Sequence, residues 1–161
     1  IKKMSWFFQV QKPKRVYNYV KDILTDYDEY RNFKIDVHKH NITKIVDMRD
    51  ICPKVYDQEN EGSCTGNGIA ANIEIDEIKQ GNLNPFTPSR NYIYYNERVL
   101  EGTVDQDSGA RISDGIKTLN KYGICSEKMW PYDTSKFTVK PSEDCYVAAK
   151  ITCGTFKTKR L

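Results

Sequence analysis

Seven consecutive residues carry the chemistry this chain could perform: Gln58-Glu59-Asn60-Glu61-Gly62-Ser63-Cys64. They form a polar loop in which Gly62 permits close backbone approach, and they deliver a cysteine to the point where a helical pattern begins. At a helix N-terminus the unpaired N–H groups and the positive end of the dipole favour thiolate over thiol, which makes Cys64 a candidate nucleophile. Its own backbone N–H and the side-chain amide of Gln58 could together hold the oxyanion formed when a thiolate attacks a carbonyl. The competing reading is a small buried hydrophobe capping a core helix, the common fate of a free cysteine. The loop taken alone fits both.

Three helices are needed to position that loop. Ile69, Ala70, Ile73 and Ile78 predict a helix over 64–80, with Gly81 placed to end it. Thr87 as N-cap and Pro88 at the first helical position predict a second, running through Tyr92, Tyr95 and Val99 to Gly102. Ile112, Ile116 and Leu119 have the spacing of one buried face, in a third helix that stops at Gly123. Ahead of these lie residues 1–44, rich in Lys, Tyr and Asp, where Val16, Val20, Ile23, Leu24 and Tyr27 predict a helix over 15–30. This stretch reads as an extension that packs on another surface. At the other end, Ile151-Thr152-Cys153-Gly154-Thr155-Phe156 alternates like a strand and then stops at Leu161 with no closing element. With Ile1 in place of a start methionine, the chain is expected to be a fragment.

Composition narrows the classes. With 161 residues, 39% hydrophobic and 29% charged, the chain has the material for one domain with a real core, which excludes a disordered tail or a collagen-like fibre. No apolar run approaches the roughly 20 residues that cross a bilayer, so no membrane partner is expected. The net charge of +3 is modest and its carriers are scattered; only Lys157 to Arg160 gather, so nucleic acid is not expected as a partner either. Five cysteines, Cys52, Cys64, Cys125, Cys145 and Cys153, form no CxxC pair, which argues against a structural zinc site. Their odd number leaves at least one thiol free: two disulfides around one reactive cysteine in an oxidising compartment, or five thiols in a reducing one. His38 and His40 form an HxH without an evident third ligand, so no metal is expected, and Asn41-Ile42-Thr43 is a formal glycosylation sequon.

Several motifs recur in a fixed order. Gln58 precedes Cys64 by six residues, and the loop between them ends in Gly62-Ser63-Cys64. Before it come Val46-Asp47-Met48-Arg49-Asp50 and Pro53-Lys54-Val55-Tyr56-Asp57-Gln58; after it come Gly109, then Tyr122-Gly123-Ile124 and Trp130-Pro131-Tyr132. From residue 45 to about 156 this order resembles the papain-like cysteine peptidases. The cluster Gly62-Ser63-Cys64-Thr65-Gly66-Asn67, with Tyr94-Tyr95-Asn96-Glu97-Arg98, is most similar to a divergent branch that includes enzymes of large DNA viruses.

The resemblance implies an α+β, two-lobed fold, of which residues 45–161 supply mainly the helical left lobe. Residues 1–44 would then be a pro-segment crossing the cleft or a stabilising arm. It further implies Cys64 as nucleophile, Gln58 and the Cys64 N–H as oxyanion donors, and Gly62, Ser63, Ser108 and Gly109 beside the substrate backbone. The implied partner is a protein or peptide substrate, and no cofactor is required. Two departures stand out: Glu61 replaces the first cysteine of the usual Cys-Gly-Ser-Cys, removing a common disulfide, and Thr65 replaces the aromatic that follows. The family's His and Asn follow the cysteine by roughly 130 to 150 residues. Only 97 residues follow Cys64, and none is histidine. The catalytic His is therefore expected from an absent C-terminal lobe, and the chain by itself is expected to be inactive. The alternative is a papain-fold protein without proteolysis, for instance a component of a virus particle.

Overall fold

The protein is described by a computed structural model over residues 16–23 and 45–153. Four α-helices follow in order: α1 (Cys64–Lys79), α2 (Arg90–Glu101), α3 (Ile112–Tyr122) and α4 (Glu143–Ala149), with single 3-10 turns at Arg49–Ile51, Thr134–Lys136 and Lys150–Thr152. Among the described residues, extended backbone pairs only at two isolated bridges, Tyr19 parallel to Ala110 and Pro88 antiparallel to Ser126.

Helix α1 begins on Cys64 as the sequence predicts, and Gly81 follows its end with a left-handed φ of 88°. The start of α2 differs from expectation. Its N-cap is Ser89, whose hydroxyl accepts from the Tyr92 N–H at 3.2 Å. Thr87 and Pro88 stay extended because other partners use them: the Thr87 hydroxyl donates to Glu74, its carbonyl accepts from the Glu127 N–H at 2.7 Å, and Pro88 bridges to Ser126. Gly102 ends α2 in the left-handed region, as expected.

Helices α1, α2 and α3 share one core of Ile69, Ala70, Ile73, Ile93, Leu119 and Ile124, with Tyr56 and Phe86 packed against it. A smaller cluster of Tyr92, Cys125, Cys145 and Ala149, flanked by Trp130 and Tyr146, fastens α4 and the chain after α3 to the back of α2. The face that α3 buries matches its apolar spacing only in part, since Leu119 is buried and Ile112 is not. Val99 and Ile112 are exposed, while α2 buries Tyr94, Glu97 and Arg98, and α3 buries Asp114, Gly115 and Thr118 beside Leu119. Most of these inward polar side chains find hydrogen-bond partners, while the Glu97 Oε1 is buried without one. The Thr65 hydroxyl donates to Glu97 at 2.7 Å; Arg98 donates to the carbonyls of Val104, Gln106 and Phe137, its guanidinium lying over the Tyr94 ring.

The helix predicted over 15–30 is absent where the chain is described. Residues 16–23 form no helix; Tyr19 bridges to Ala110, and the Val20 N–H donates to the Ala110 carbonyl at 3.2 Å. A helix would have to give up that pairing, and the proposed apolar face is not buried: Ile23 is exposed, and Val16 and Val20 are only half-buried. Leu24 and Tyr27 lie outside the described residues, as do His38, His40 and the Asn41 sequon. The strand read over 151–156 is likewise corrected. Its first residues form a 3-10 turn with Ile151 exposed, and 154–156 lie outside the described residues. All five cysteines are free thiols.

Candidate active site

The loop ahead of α1 is tied to itself and to the chain behind it. The Gln58 side-chain amide donates to the Glu61 carbonyl at 2.9 Å, while the Glu61 N–H donates back to the Gln58 carbonyl at 3.2 Å. Glu59, in the left-handed region at φ 53°, makes the turn between them. From behind, the Tyr132 hydroxyl donates to the Gln58 carbonyl and bonds the Ser63 hydroxyl at 2.7 Å. Asn67 donates to both oxygens of Ser63. Arg90 braces this set: it pairs with Glu127 at 2.7 Å, donates to Asn67 and to the Asp57 carbonyl, and stacks between the rings of Tyr132 and Tyr56.

Cys64 is the first residue of α1, the longest described helix, and is half-buried. The Thr65 and Cys64 N–H groups favour its thiolate, as a helix N-terminus should, yet burial pushes the thiol pKa above its ordinary value and Glu97 adds to the rise. The thiolate expected from the sequence is therefore not favoured by this chain's own groups. Glu97, buried between α1 and α3, is itself held at about 8, chiefly by desolvation.

A second segment, residues 107–110, faces the loop. Both carboxylate oxygens of Asp107 accept from the Gly62 N–H, at 2.9 and 3.0 Å, and one also accepts from the Tyr94 hydroxyl at 2.5 Å. The same hydroxyl accepts from the Gly109 N–H at 3.0 Å. Gly109 has φ 74°, and a Cβ there would run into the Asn18 carbonyl. The described part of the extension thus lies between loop and segment. The Val16 carbonyl accepts from the Gln58 amide at 2.9 Å, the Asn18 amide donates to the Asp107 carbonyl at 2.8 Å, and a Cβ on Gly62 would meet the Asn18 side chain at 2.9 Å.

Gln58, Gly62 and Gly109 are brought to one locality by these contacts, and Cys64 follows Gly62 by two residues. The hydroxyls of the two serines have partners within the chain: that of Ser63 is fully buried on Tyr132 and Asn67, and that of the half-buried Ser108 donates to Thr103 and the Gly109 carbonyl. Asp107, Tyr94, Tyr132 and Arg90 were not picked out as site residues. Tyr94 and Tyr132 stand in motifs, while Asp107 and Arg90 carry no local signal because their partners are distant in sequence.

Comparison with known proteins fits this geometry. No family model matches the chain. It is 46% identical over 140 residues to a peptidase C1-like protein of Acanthamoeba polyphaga mimivirus, covering 81% of this chain and 45% of that protein. Xylellain, a cysteine protease from Xylella fastidiosa, superposes with a TM-score of 0.77 at 37% identity, covering 89% of this chain and 57% of the other. This is the helical lobe of a papain-like cysteine peptidase fold. The viral relative agrees with the branch suggested by the residues around Cys64 and Tyr94. The papain-like chain spans about half the length of the proteins it matches.

Proposed function

We propose that this papain-like lobe carries the nucleophile and oxyanion donors of a thiol-dependent endopeptidase, completed by a second lobe. The Cys64 sulfur attacks a peptide carbonyl while Gln58 and the Cys64 N–H hold the oxyanion. A histidine from the second lobe takes the thiol proton and gives it to the leaving amine, so the C–N bond breaks and an acyl-thioester remains for water to release. Protein or peptide is the substrate. The observation that carries the reading is the Gln58 amide, which donates to a backbone carbonyl supplied by another part of the chain, as it would to a scissile peptide. That carbonyl belongs to Val16, and its place on the Gln58 amide supports reading residues 1–44 as a pro-segment laid across the site over the alternative of a stabilising arm.

The test joins these residues to a second lobe bearing the histidine and follows a fluorogenic peptide. Turnover that disappears in Cys64→Ala and falls in Gln58→Ala is expected. Turnover indifferent to Cys64→Ala would overturn the reading, and complete absence of turnover with an intact fold would favour a structural or binding component instead.

A further inference from the structure

We propose that Asp107 is a positioning residue for the nucleophile: its carboxylate clamps the loop that ends in Cys64 to the segment that holds Gly109. The inference rests on the reading of Cys64 as nucleophile, though its geometry stands apart from it. Asp107 has three acceptor contacts in two directions. Toward the loop, both oxygens take the Gly62 N–H. Toward α2, one oxygen takes the Tyr94 hydroxyl, which in turn receives the Gly109 N–H. Gly62 is two residues before Cys64, and Gly109 two residues after Asp107, so a single carboxylate and a single phenol fix the two backbone stretches against each other. No covalent link does this, since all five cysteines are free.

The surroundings suit a clamp. Charge-assisted bonds to backbone N–H and phenol are among the stronger hydrogen bonds, and a carboxylate provides enough lone pairs for all three. The buried Glu61 carboxyl next in the loop is pushed up to about 7 by burial and by the proximity of Asp107, with Arg98 and Arg90 opposing. Fixing Gly62 fixes Ser63 and the first turn of α1, where the Cys64 and Thr65 N–H groups favour the thiolate against burial and Glu97.

The sign of the effect separates positioning from electrostatics. Removing the Asp107 charge would by Coulomb's law ease ionisation of a nearby thiol and lower its pKa. Losing the clamp lets the N–H groups drift from the sulfur and raises it. The experiment uses the 161-residue chain, follows iodoacetamide alkylation of Cys64 by mass spectrometry from pH 6 to 11, and records amide exchange at Gly62 and Gly109. In Asp107→Ala and in Tyr94→Phe the alkylation midpoint is expected to rise by half a unit or more, about threefold in rate at neutral pH. Asp107→Asn, which keeps an acceptor oxygen, should move it less. Exchange at Gly62 and Gly109 should quicken together. A midpoint that falls or stays fixed in folded Tyr94→Phe and Asp107→Asn overturns the proposal, as does unchanged exchange at Gly109 when Asp107 is replaced. If Cys64 of the parent chain is alkylated no faster than an unfolded thiol and a complete two-lobed protein turns over without it, the nucleophile reading fails, while the exchange data still decide the clamp.

Discussion

The side-chain amide of Gln58 donates to the backbone carbonyl of Val16 across 42 positions of sequence, at 2.9 Å. The donor assigned to an oxyanion is thus already engaged by the chain's own extension, which is held in addition by the Asn18 amide on the Asp107 carbonyl and by the Val20 N–H on Ala110. Each of these bonds contributes about 1 kcal/mol, and losing one should raise the fraction of molecules with the segment detached roughly fivefold. Asn18→Ala is therefore expected to speed Cys64 alkylation several-fold without lowering the melting temperature of the helical lobe. Equal labelling rates in the two chains would show that the segment does not limit access to the thiol.

At Gly115, α3 packs directly on Glu97 and Ile69. A Cβ at this position would lie inside contact distance of the Glu97 carboxyl and the Ile69 side chain, both buried and fixed. Gly115→Ala gains helix propensity, but the overlap forces a shift of packed atoms that typically costs about 1–3 kcal/mol. The urea midpoint should fall accordingly, and an unchanged or higher midpoint would show that the α1–α3 contact has room to give.

What could be read in the sequence divides along the range of the interactions. The start of α1, its glycine stop and the approximate span of three helices follow from local signals. Ser89 was passed over for Thr87 because a cap is chosen by what its neighbours do, and Thr87 is drawn into pairing with Glu127 and Glu74. The polar residues that α2 and α3 bury have no signal in the sequence, because Glu97, Arg98 and Asp114 look like surface residues until their partners Thr65, Phe137 and Lys117 are known. The Gln58–Cys64 loop was legible as chemistry; the Asp107 and Arg90 contacts that hold it were not, since each spans more than 20 residues. The raised thiol pKa had no sequence signal, because burial outweighs the helix end that the sequence announces.

Glu97 makes stability depend on pH in a definite direction. Burial raises its pKa from an ordinary 4.5 to about 8, so between those values the unfolded chain gives up a proton that the folded chain keeps. Stability from this group is then greatest below about 4.5, falls as pH rises through the window, and levels off above 8. Glu61, held near 7 by burial and Asp107, adds a slope of the same sign. Glu97→Gln keeps an acceptor for the Thr65 hydroxyl and carries no charge at any pH. The parent chain should melt a few degrees lower at pH 9 than at pH 6, and most of that difference should vanish in the variant. A parent melting temperature that rises toward pH 9 would mean that Glu97 is ionised in the folded state.

Arg90 is the test of whether the loop is held from behind. Its guanidinium serves five partners at once: Glu127 at 2.7 Å, Asn67 at 3.1 Å, the Asp57 carbonyl at 3.3 Å, and the rings of Tyr132 and Tyr56 at 3.9 and 4.6 Å. A lysine at 90 keeps the charge and can reach Glu127, but it lacks the planar fork and the flat face, so it cannot serve Asn67, Asp57 and the rings together. The side chains of Arg90 and Glu127 are 13% and 18% exposed, which leaves little water to replace the lost bonds. Arg90→Lys is expected to destabilise the fold by about 1–3 kcal/mol, the cost of leaving buried polar groups unpaired. Because Asn67 holds Ser63 and Tyr132 holds Gln58, the loss should spread to the loop. The Glu61 amide should then exchange faster than can be accounted for by the change in global stability. Exchange that tracks global stability alone would confine Arg90 to the fold and remove it from the support of Cys64.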